Sequence, residues 1–291
     1  MFLESNEHVE AANSWSYQSI PDLTEEQFAR WQSVVEQRTG IYLARHKSIL
    51  QAGLTRRMRE IECLDYEAYY QRITEANDPS EWAALLNSMT VKETSLFRQQ
   101  EAYEFVRRYL AKQLDEQAVR DIQLWSVGCS TGEEAYSLAI IADEVIRVKH
   151  SRCRFGVIAT DISLAALATA REAKYPARKL EALNSRVRNM YFERVNDKQY
   201  AVVPALKKRV CFTQGNIIEL DKSPIGEVDV IYCQNVLIYF QRAVRHQVLD
   251  QLAKRLKPNG ILVAGLGETV DWRNASVRRI GNESIEAYQR R

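Results

Sequence analysis

The stretch from Ile122 to Lys149 constrains the fold more than any other part of this 291-residue chain. Ile122 to Val127 reads as a short strand of β-branched, aromatic and apolar residues. It breaks at Gly128-Cys129-Ser130-Thr131-Gly132. From Glu133 to Lys149 apolar residues then recur at helical spacing (Tyr136, Leu138, Ala139, Ile141, Ala142, Val145). Strand, glycine turn and helix in that order form the ligand-binding corner of an open α/β sheet, where glycine lets backbone pass close to a bound molecule. A dinucleotide corner needs G-x-G-x-x-G, whose middle glycine admits a pyrophosphate to the helix N-terminus. Here the middle place is Ser130, and Glu133 and Glu134 open the helix. Two carboxylates at that end repel a pyrophosphate and suit a cationic ligand without phosphate, such as S-adenosylmethionine. A plain strand-to-helix turn is the alternative.

Strands and helices alternate from there on, which implies a mainly parallel, doubly wound sheet. Phe155 to Thr160 is a second strand ending in Asp161, and Ser163 caps a helix reaching Glu172. Val228 to Gln234 is a buried strand ending in Asn235, followed by a helix over Arg242 to Leu256. Lys257-Pro258-Asn259-Gly260 reads as a turn into a strand over Ile261 to Gly265, and the last strands are expected near Val277 to Ile280 and Ser284 to Gln289. Between Lys174 and Phe212 the rhythm breaks. A helix over Leu180 to Met190 and a small sheet from residues 199–203 and 209–212 suggest an inserted β-subdomain, 175–212, on the carboxyl edge.

The part before the sheet is of another kind. Thr24 and Gln27 fit a capping box, Phe28, Trp31, Val34 and Val35 share a face, and Gly40 stops the helix. A second helix is expected over Arg45 to Ile61, a third over Tyr66 to Ile73, and a fourth opened by Asp78-Pro79 with Trp82, Leu85, Leu86 and Met89 inward. The chain thus divides into a polar tail (1–21), an all-helical domain (22–90), a linker and helix (91–121) and an α/β domain (122–291).

Composition narrows the class further. No apolar run approaches the roughly 20 residues that span a bilayer, so no membrane insertion is expected. The five cysteines (Cys63, Cys129, Cys153, Cys211, Cys233) are scattered without C-x-x-C, as reduced cytoplasmic thiols would be, and the four histidines are dispersed, so no metal site is read. A formal net charge of +2 gives no general affinity for nucleic acid, and any electrostatic partner must meet a local patch. One candidate patch is Arg45, Arg56 and Arg59, which fall within about 60° of one another around Ala52 on the second helix. Such a face either docks an acidic partner or is simply solvated.

Open α/β sheets bind ligands at the carboxyl ends of their strands. Asp161 stands one strand beyond the glycine turn, placed either to accept from ribose hydroxyls or to cap the next helix. Asn216 and Asn235 lie at corresponding strand ends, as readers of an adenine edge or as turn asparagines. Asn235-Val236-Leu237-Ile238-Tyr239-Phe240 carries an aromatic pair past its strand, and Tyr239 there either packs or faces a reacting group. The linker residues Thr94 and Arg98 sit where the chain crosses between domains.

These motifs resemble one family. Thr90-x-x-Glu93-Thr94-Ser95-x-Phe97-Arg98, Trp125-Ser126-x-x-Cys129-Ser130-Thr131-Gly132-Glu133-Glu134-x-Tyr136-Ser137, Ala159-Thr160-Asp161-Ile162-Ser163 and Asn235-Val236-x-Ile238-Tyr239-Phe240 are similar to those of the chemotaxis receptor methyltransferases, CheR, in the same order over about residues 22–291. The resemblance implies a Rossmann-like S-adenosylmethionine-dependent methyltransferase sheet behind a helical domain. It implies methyl transfer to glutamate side chains of the cytoplasmic helical domain of chemoreceptors, leaving S-adenosylhomocysteine. Carried over by motif, Thr94, Arg98, Glu133 or Glu134, Asp161, Asn216, Ile217, Asn235 and Val236 hold the donor, and Arg98 and Tyr239 face the methyl group. Gly128 is expected at the donor too, the basic face of Arg45, Arg56 and Arg59 suits docking of a glutamate-rich receptor helix, and the enzyme is expected to act as a monomer. The same fold acting on another protein or small molecule, or a donor-binding signalling module, are the alternatives. Two positions depart from the family. Lys92 stands where asparagine is common, and Glu193 to Arg209 contains no glycine, unlike the insertion loop of members that dock on a receptor's C-terminal tail.

Overall fold

A computed structural model describes residues 20–43, 46–75, 78–90, 93–116 and 121–291. Four helices open it: α1 (Glu25–Thr39), α2 (Lys47–Glu60), α3 (Tyr66–Glu75) and α4 (Pro79–Met89). The capping box forms at Thr24 and Gln27, and Gly40 ends α1 in the left-handed conformation. Trp31, Leu50, Leu54, Met58, Tyr69 and Leu85 make a core of their own. Inside it Glu81, only 4% exposed, accepts from both arms of Arg57 (2.9 and 2.7 Å) and from Tyr69 Oη (2.9 Å). The Arg57 bonds hold the Glu81 carboxyl below the usual carboxylate range. A long helix, α5 (Gln100–Glu116), leads to the sheet.

The sheet has seven strands in the order β6-β2-β1-β7-β8-β10-β9: β1 (Asp121–Val127), β2 (Arg154–Asp161), β6 (Val210–Gln214), β7 (Val228–Cys233), β8 (Leu256–Ala264), β9 (Val277–Arg279) and β10 (Glu286–Arg290). The first five in that order run parallel, while β10 pairs antiparallel with β8 and β9 with β10. Helices cover both faces, as a parallel sheet requires. Val106 and Leu110 of α5 pack with Leu138 and Ile141 of α6 (Glu133–Val148) in one layer, and Leu249 and Leu252 of α10 (Arg242–Lys254) lie in the other. Between β2 and the insertion runs α7 (Leu164–Glu172), capped by the Ser163 hydroxyl.

Three expectations need correction. Residues 257–260 are not a turn into a strand but part of β8, a bulge over which the register with β7 jumps from Val228–Leu256 to Val230–Ile261. Asp229 holds the bulge, accepting from Lys257 Nζ and the Gln123 N–H, each at 2.7 Å. The inserted sheet is made instead of β3 (Lys174–Pro176), β4 (Phe192–Asn196) and β5 (Gln199–Val202), all antiparallel, in the order β3-β5-β4. Residues 209–212 do not join it. After the helical turn α9 (Pro204–Lys207) the chain enters β6, which pairs parallel with β2 at the edge of the main sheet. The helix expected over Leu180 to Met190 is divided as well. A 3-10 turn ends at Leu180, and α8 (Ser185–Tyr191) restarts because the Asn184 side chain caps it, accepting from the Val187 N–H at 2.8 Å.

The helical domain sits over the carboxyl edge of the sheet. Ile41 makes an antiparallel bridge to Phe240, the Tyr42 N–H donates to the Tyr239 carbonyl (2.8 Å), Asn216 Nδ2 donates to the Arg38 carbonyl (2.9 Å), and the Ser163 hydroxyl meets Asn87 Oδ1 (3.2 Å).

Candidate functional site

At the end of β1 the chain turns through Gly128 with φ 73°, and a Cβ built there would lie 2.4 Å from Val236 Cγ2. Only glycine lets the β1 and β7 ends approach this closely. The Gly128 and Cys129 N–H groups both donate to the Thr160 carbonyl (2.8 and 2.9 Å). Ser130, at φ 49°, then directs its N–H onto Asp161 Oδ2 at 2.8 Å, while Oδ1 accepts from the Ser163 N–H at 2.8 Å. Asp161 is therefore fixed at the mouth of β2 by two backbone donors. Loss of solvent around it pushes its carboxyl pKa above the usual range.

The two glutamates that open α6 part company. Glu133 is fully buried and faces the insertion, paired with Lys179 and accepting from the Thr131 hydroxyl at 2.6 Å. It lines neither compartment of the cleft, which leaves Glu134 of the two as the one at the cavity. One residue on, a helix has turned by about 100°. Glu134 opens into the cleft, half-buried, with Oε1 accepting from the Ser126 hydroxyl at 2.7 Å. Desolvation pushes its carboxyl well above the ordinary value, neighbouring Glu268 and Asp161 add to the rise, and Arg98 opposes it.

The cleft has two compartments. The larger, about 390 Å³, is lined from the helical domain by Thr39, Ile41 and Ile49 and from the sheet by Asp161, Asn216, Ile217, Asn235 and Val236. The smaller, about 130 Å³, is lined by Thr94, Arg98, Glu134 and Gln234. Gly128, Ser130, Asn235 and Tyr239 line both, so the two compartments adjoin across these residues. Of the candidate residues, Thr94, Arg98, Gly128, Glu134, Asp161, Asn216, Ile217, Asn235, Val236 and Tyr239 are thus brought together. Asn216 has both ends of its amide engaged, by the Arg38 carbonyl and the Ile218 N–H, and builds the wall as a turn residue while Ile217 lines the cavity. Arg98 is exposed, with Nη1 donating to the Glu93 carbonyl at 3.0 Å. Burial raises the Tyr239 hydroxyl pKa, and Arg98 pulls it back. Arg56 and Arg59 lie on the exposed face of α2 outside the cavity, and Arg45, like Lys92, falls outside the described residues.

Two further residues shape the site. Glu268, 1% exposed, accepts from the Gly265 N–H (2.8 Å) and the Ile238 N–H (3.1 Å), tying the loop after β8 to the turn that carries Tyr239. Its signal in the sequence is the glycine-bounded run Gly265-Leu266-Gly267-Glu268 after a strand, the same punctuation as the first corner. Gln234, just past β7, had no distinguishing signal.

Comparison with known proteins decides the lineage. The family described as CheR methyltransferase, SAM binding domain, matches residues 92–285, and its companion, CheR methyltransferase, all-alpha domain, matches residues 26–90. The chain belongs to the CheR methyltransferase family. It is 30% identical over 262 residues to chemotaxis protein methyltransferase 2 of Pseudomonas aeruginosa, covering 89% of this chain and 91% of that one. It is 31% identical over 251 residues to the chemotaxis protein methyltransferase of Escherichia coli, with 84% and 85% covered. The CheR chain is accordingly an S-adenosylmethionine-dependent methyltransferase with a Rossmann-like sheet behind an all-helical domain. Its cleft fits that donor. The half-buried carboxylate of Glu134 suits a cation, and Gln234 presents a buried amide oxygen with no protein partner. Among the described residues no helix is long and apolar enough to cross a membrane.

Proposed function

We propose that this CheR chain methylates glutamate side chains on the cytoplasmic helical domain of chemoreceptors, forming glutamate methyl esters in the cytoplasm as a monomer. The observation that carries the reading is the pair of adjoining compartments, an apolar one bordered by Asp161 and a polar one bordered by Glu134, Arg98 and Tyr239. In this reading Asp161 takes the ribose hydroxyls, Ile217, Asn235 and Val236 border the adenine, and Thr94, Arg98 and Glu134 hold the amino-acid end. S-adenosylmethionine, when bound, supplies an electrophilic methyl group on a sulfonium.

A glutamate side chain has a pKa near 4.3, so the acceptor arrives ionised and the chain needs no general base to activate it. The work left to the protein is placement. Arg98 lies exposed at the smaller compartment, free to swing from the Glu93 carbonyl and orient an incoming carboxylate. Tyr239, with its backbone tied to Tyr42 and its turn tied to Glu268, shapes the wall and offers one hydroxyl. The helical domain walls one side of the larger compartment through Thr39, Ile41 and Ile49.

Receptor docking on α2 is supported by where its basic face leads. Ile49 lines the cleft, and Arg56, seven residues on, lies within about 20° of it around the helix and about 10 Å along the axis. Arg57 is spent inside on Glu81, which leaves Arg56 and Arg59 as the exposed arginines of this stretch of α2. A glutamate-rich helix laid along that face brings its carboxylates to the opening.

The deciding experiment incubates the enzyme and methyl-labelled donor with chemoreceptor membranes. Label appearing on receptor and released as methanol by mild base is expected. Absence of label, or label stable to base, overturns the assignment of substrate and bond.

A further inference from the structure

Gln234 is 7% exposed, yet its Oε1 has no hydrogen-bond partner, and among the described residues no other buried side-chain oxygen is left so. The amide cannot be reversed to relieve this. Its Nε2 donates to the Ala264 carbonyl at 3.2 Å, and turning it over would set two oxygens against each other. A buried carbonyl without a partner is costly in a native protein and is seldom kept without a use.

The use is indicated by what surrounds it. Gln234 and Glu134 line the same small compartment, so two acceptors border it, and the cation that also borders it, Arg98, is bonded to the Glu93 carbonyl instead. An ammonium group carries three donors and a charge, which is the complement of one carboxylate plus one neutral oxygen. We propose that Gln234 Oε1 is a positioning acceptor for the α-ammonium of the donor's methionine portion, sharing it with Glu134. The assignment rests on the reading that the polar compartment holds the amino-acid end of the donor. It gives that end a fixed rotation about the bond to the reacting sulfur, because ammonium and carboxylate are then held by different walls: Gln234 and Glu134 on one side, the linker carrying Thr94 and Arg98 on the other.

The test compares two ligands in one protein. S-adenosylhomocysteine and its analogue lacking only the α-amino group are titrated calorimetrically into wild type and Gln234→Met, with melting temperatures of the unliganded proteins measured alongside. Gln234→Met should lose about tenfold in affinity for S-adenosylhomocysteine while binding the deaminated analogue within twofold of wild type, and should melt close to wild type, since the unpaired oxygen is removed together with the Nε2 bond to the Ala264 carbonyl. Equal losses for both ligands would mean a merely structural role and overturn the proposal, as would no loss for either. If wild type failed to bind S-adenosylhomocysteine at all, the reading of the cleft would fall first and this assignment with it.

Discussion

The two compartments of one cleft are built on opposite terms. In the larger, Ile41, Val127, Ile217 and Val236 supply apolar wall, and the carboxylate of Asp161 already accepts a backbone N–H on each oxygen. In the smaller, Glu134 has a single hydroxyl partner for its carboxylate, Arg98 a single carbonyl partner, and Gln234 an oxygen with none. Asp161 is held in a fixed frame with accepting capacity left on each oxygen, whereas the groups of the smaller compartment take most of their partners from whatever enters. The difference separates holding from reacting. In the proposed reading, affinity for the adenosine end belongs to the apolar compartment and orientation of charge at the reacting end to the polar one.

The sharpest way to break that division is Arg98→Ala. Turnover of receptor should fall about 10²-fold, the scale of losing one donor aimed at reacting charge. The melting temperature should barely move, because the side chain is exposed and makes one bond to Glu93. Tyr239→Ala should cost about tenfold and Tyr239→Phe less, since phenylalanine keeps the wall and loses only the hydroxyl. If either variant instead weakened donor binding as much as turnover, the two compartments would not be distinct in function.

On the other side of the comparison, Asp161→Ala should raise the dissociation constant for the donor roughly ten- to hundredfold, about 1.5–3 kcal/mol, with turnover at saturating donor changed far less. Calorimetry showing unchanged affinity would remove Asp161 from the site. The variant should also be less stable, because the Ser130 and Ser163 N–H groups lose their acceptor.

A smaller effect follows from Glu134. Its folded pKa is raised, so the unliganded protein holds the proton to higher pH than the unfolded chain, and this group costs stability as pH climbs from the ordinary carboxylate range through the folded pKa. A cationic donor favours the ionised form and lowers that pKa on binding. Affinity should therefore rise with pH, by at most about tenfold per unit for one proton, and level off above the free pKa. The slope should be steeper for S-adenosylmethionine, which carries the sulfonium, than for S-adenosylhomocysteine, and Glu134→Gln should flatten both. A flat wild-type profile would mean that no carboxylate in the smaller compartment responds to the donor.

What could be read ahead of the fold was whatever is local. The first glycine corner, the Thr24–Gln27 cap, the Ser163 cap and the strand ends at Asp161 and Asn235 all depend on neighbours within a few residues, and all stand where the pattern put them. What misled was decided at a distance. Glu133 and Glu134 are adjacent and alike in sequence, and the ion pair that engages the first comes from Lys179, brought over by the insertion. Residues 257–260 have every mark of a turn, yet Asp229 of the adjacent strand holds them as a bulge. Val210 to Phe212 join the main sheet because α9 returns the chain to β2, a matter of path rather than propensity. Gln234 and Glu268 act through partners on another strand and its loop, Ala264 and Gly265, which periodicity does not reveal.

Outside the cleft the expected effects are smaller still. Arg56→Glu with Arg59→Glu should lower receptor methylation several-fold and leave donor binding intact, because both side chains lie on the exposed face of α2. Wild-type transfer should decline as salt rises, since exposed charges are screened beyond about 8 Å at physiological ionic strength. A salt-independent rate with the double reversal fully active would return this face to ordinary solvated surface.

The last expected effect is none at all. If receptors are recognised along α2, removing a receptor's C-terminal tail should leave methylation within about twofold of the full-length rate, an energy difference below that of one ordinary hydrogen bond. The inserted sheet supports this. Its outer strand β4 is only five residues long, and its register with β5 breaks between Arg194 and Asn196. Glu193, Arg194 and Val195 are exposed along it. A short, bulged and charged edge is the form sheets take when they are protected against an added strand. Pairing a tail peptide there would need a continuous row of free backbone groups and close approach of backbone, and the turn after β4 is Asp197-Lys198, with no glycine to permit it. The measurement compares intact and truncated receptor and titrates the isolated tail peptide. Micromolar binding of the peptide, or a large loss of methylation on truncation, would place recognition on the insertion after all. The basic face of α2 would then be left without the role that its approach to the cleft mouth supports.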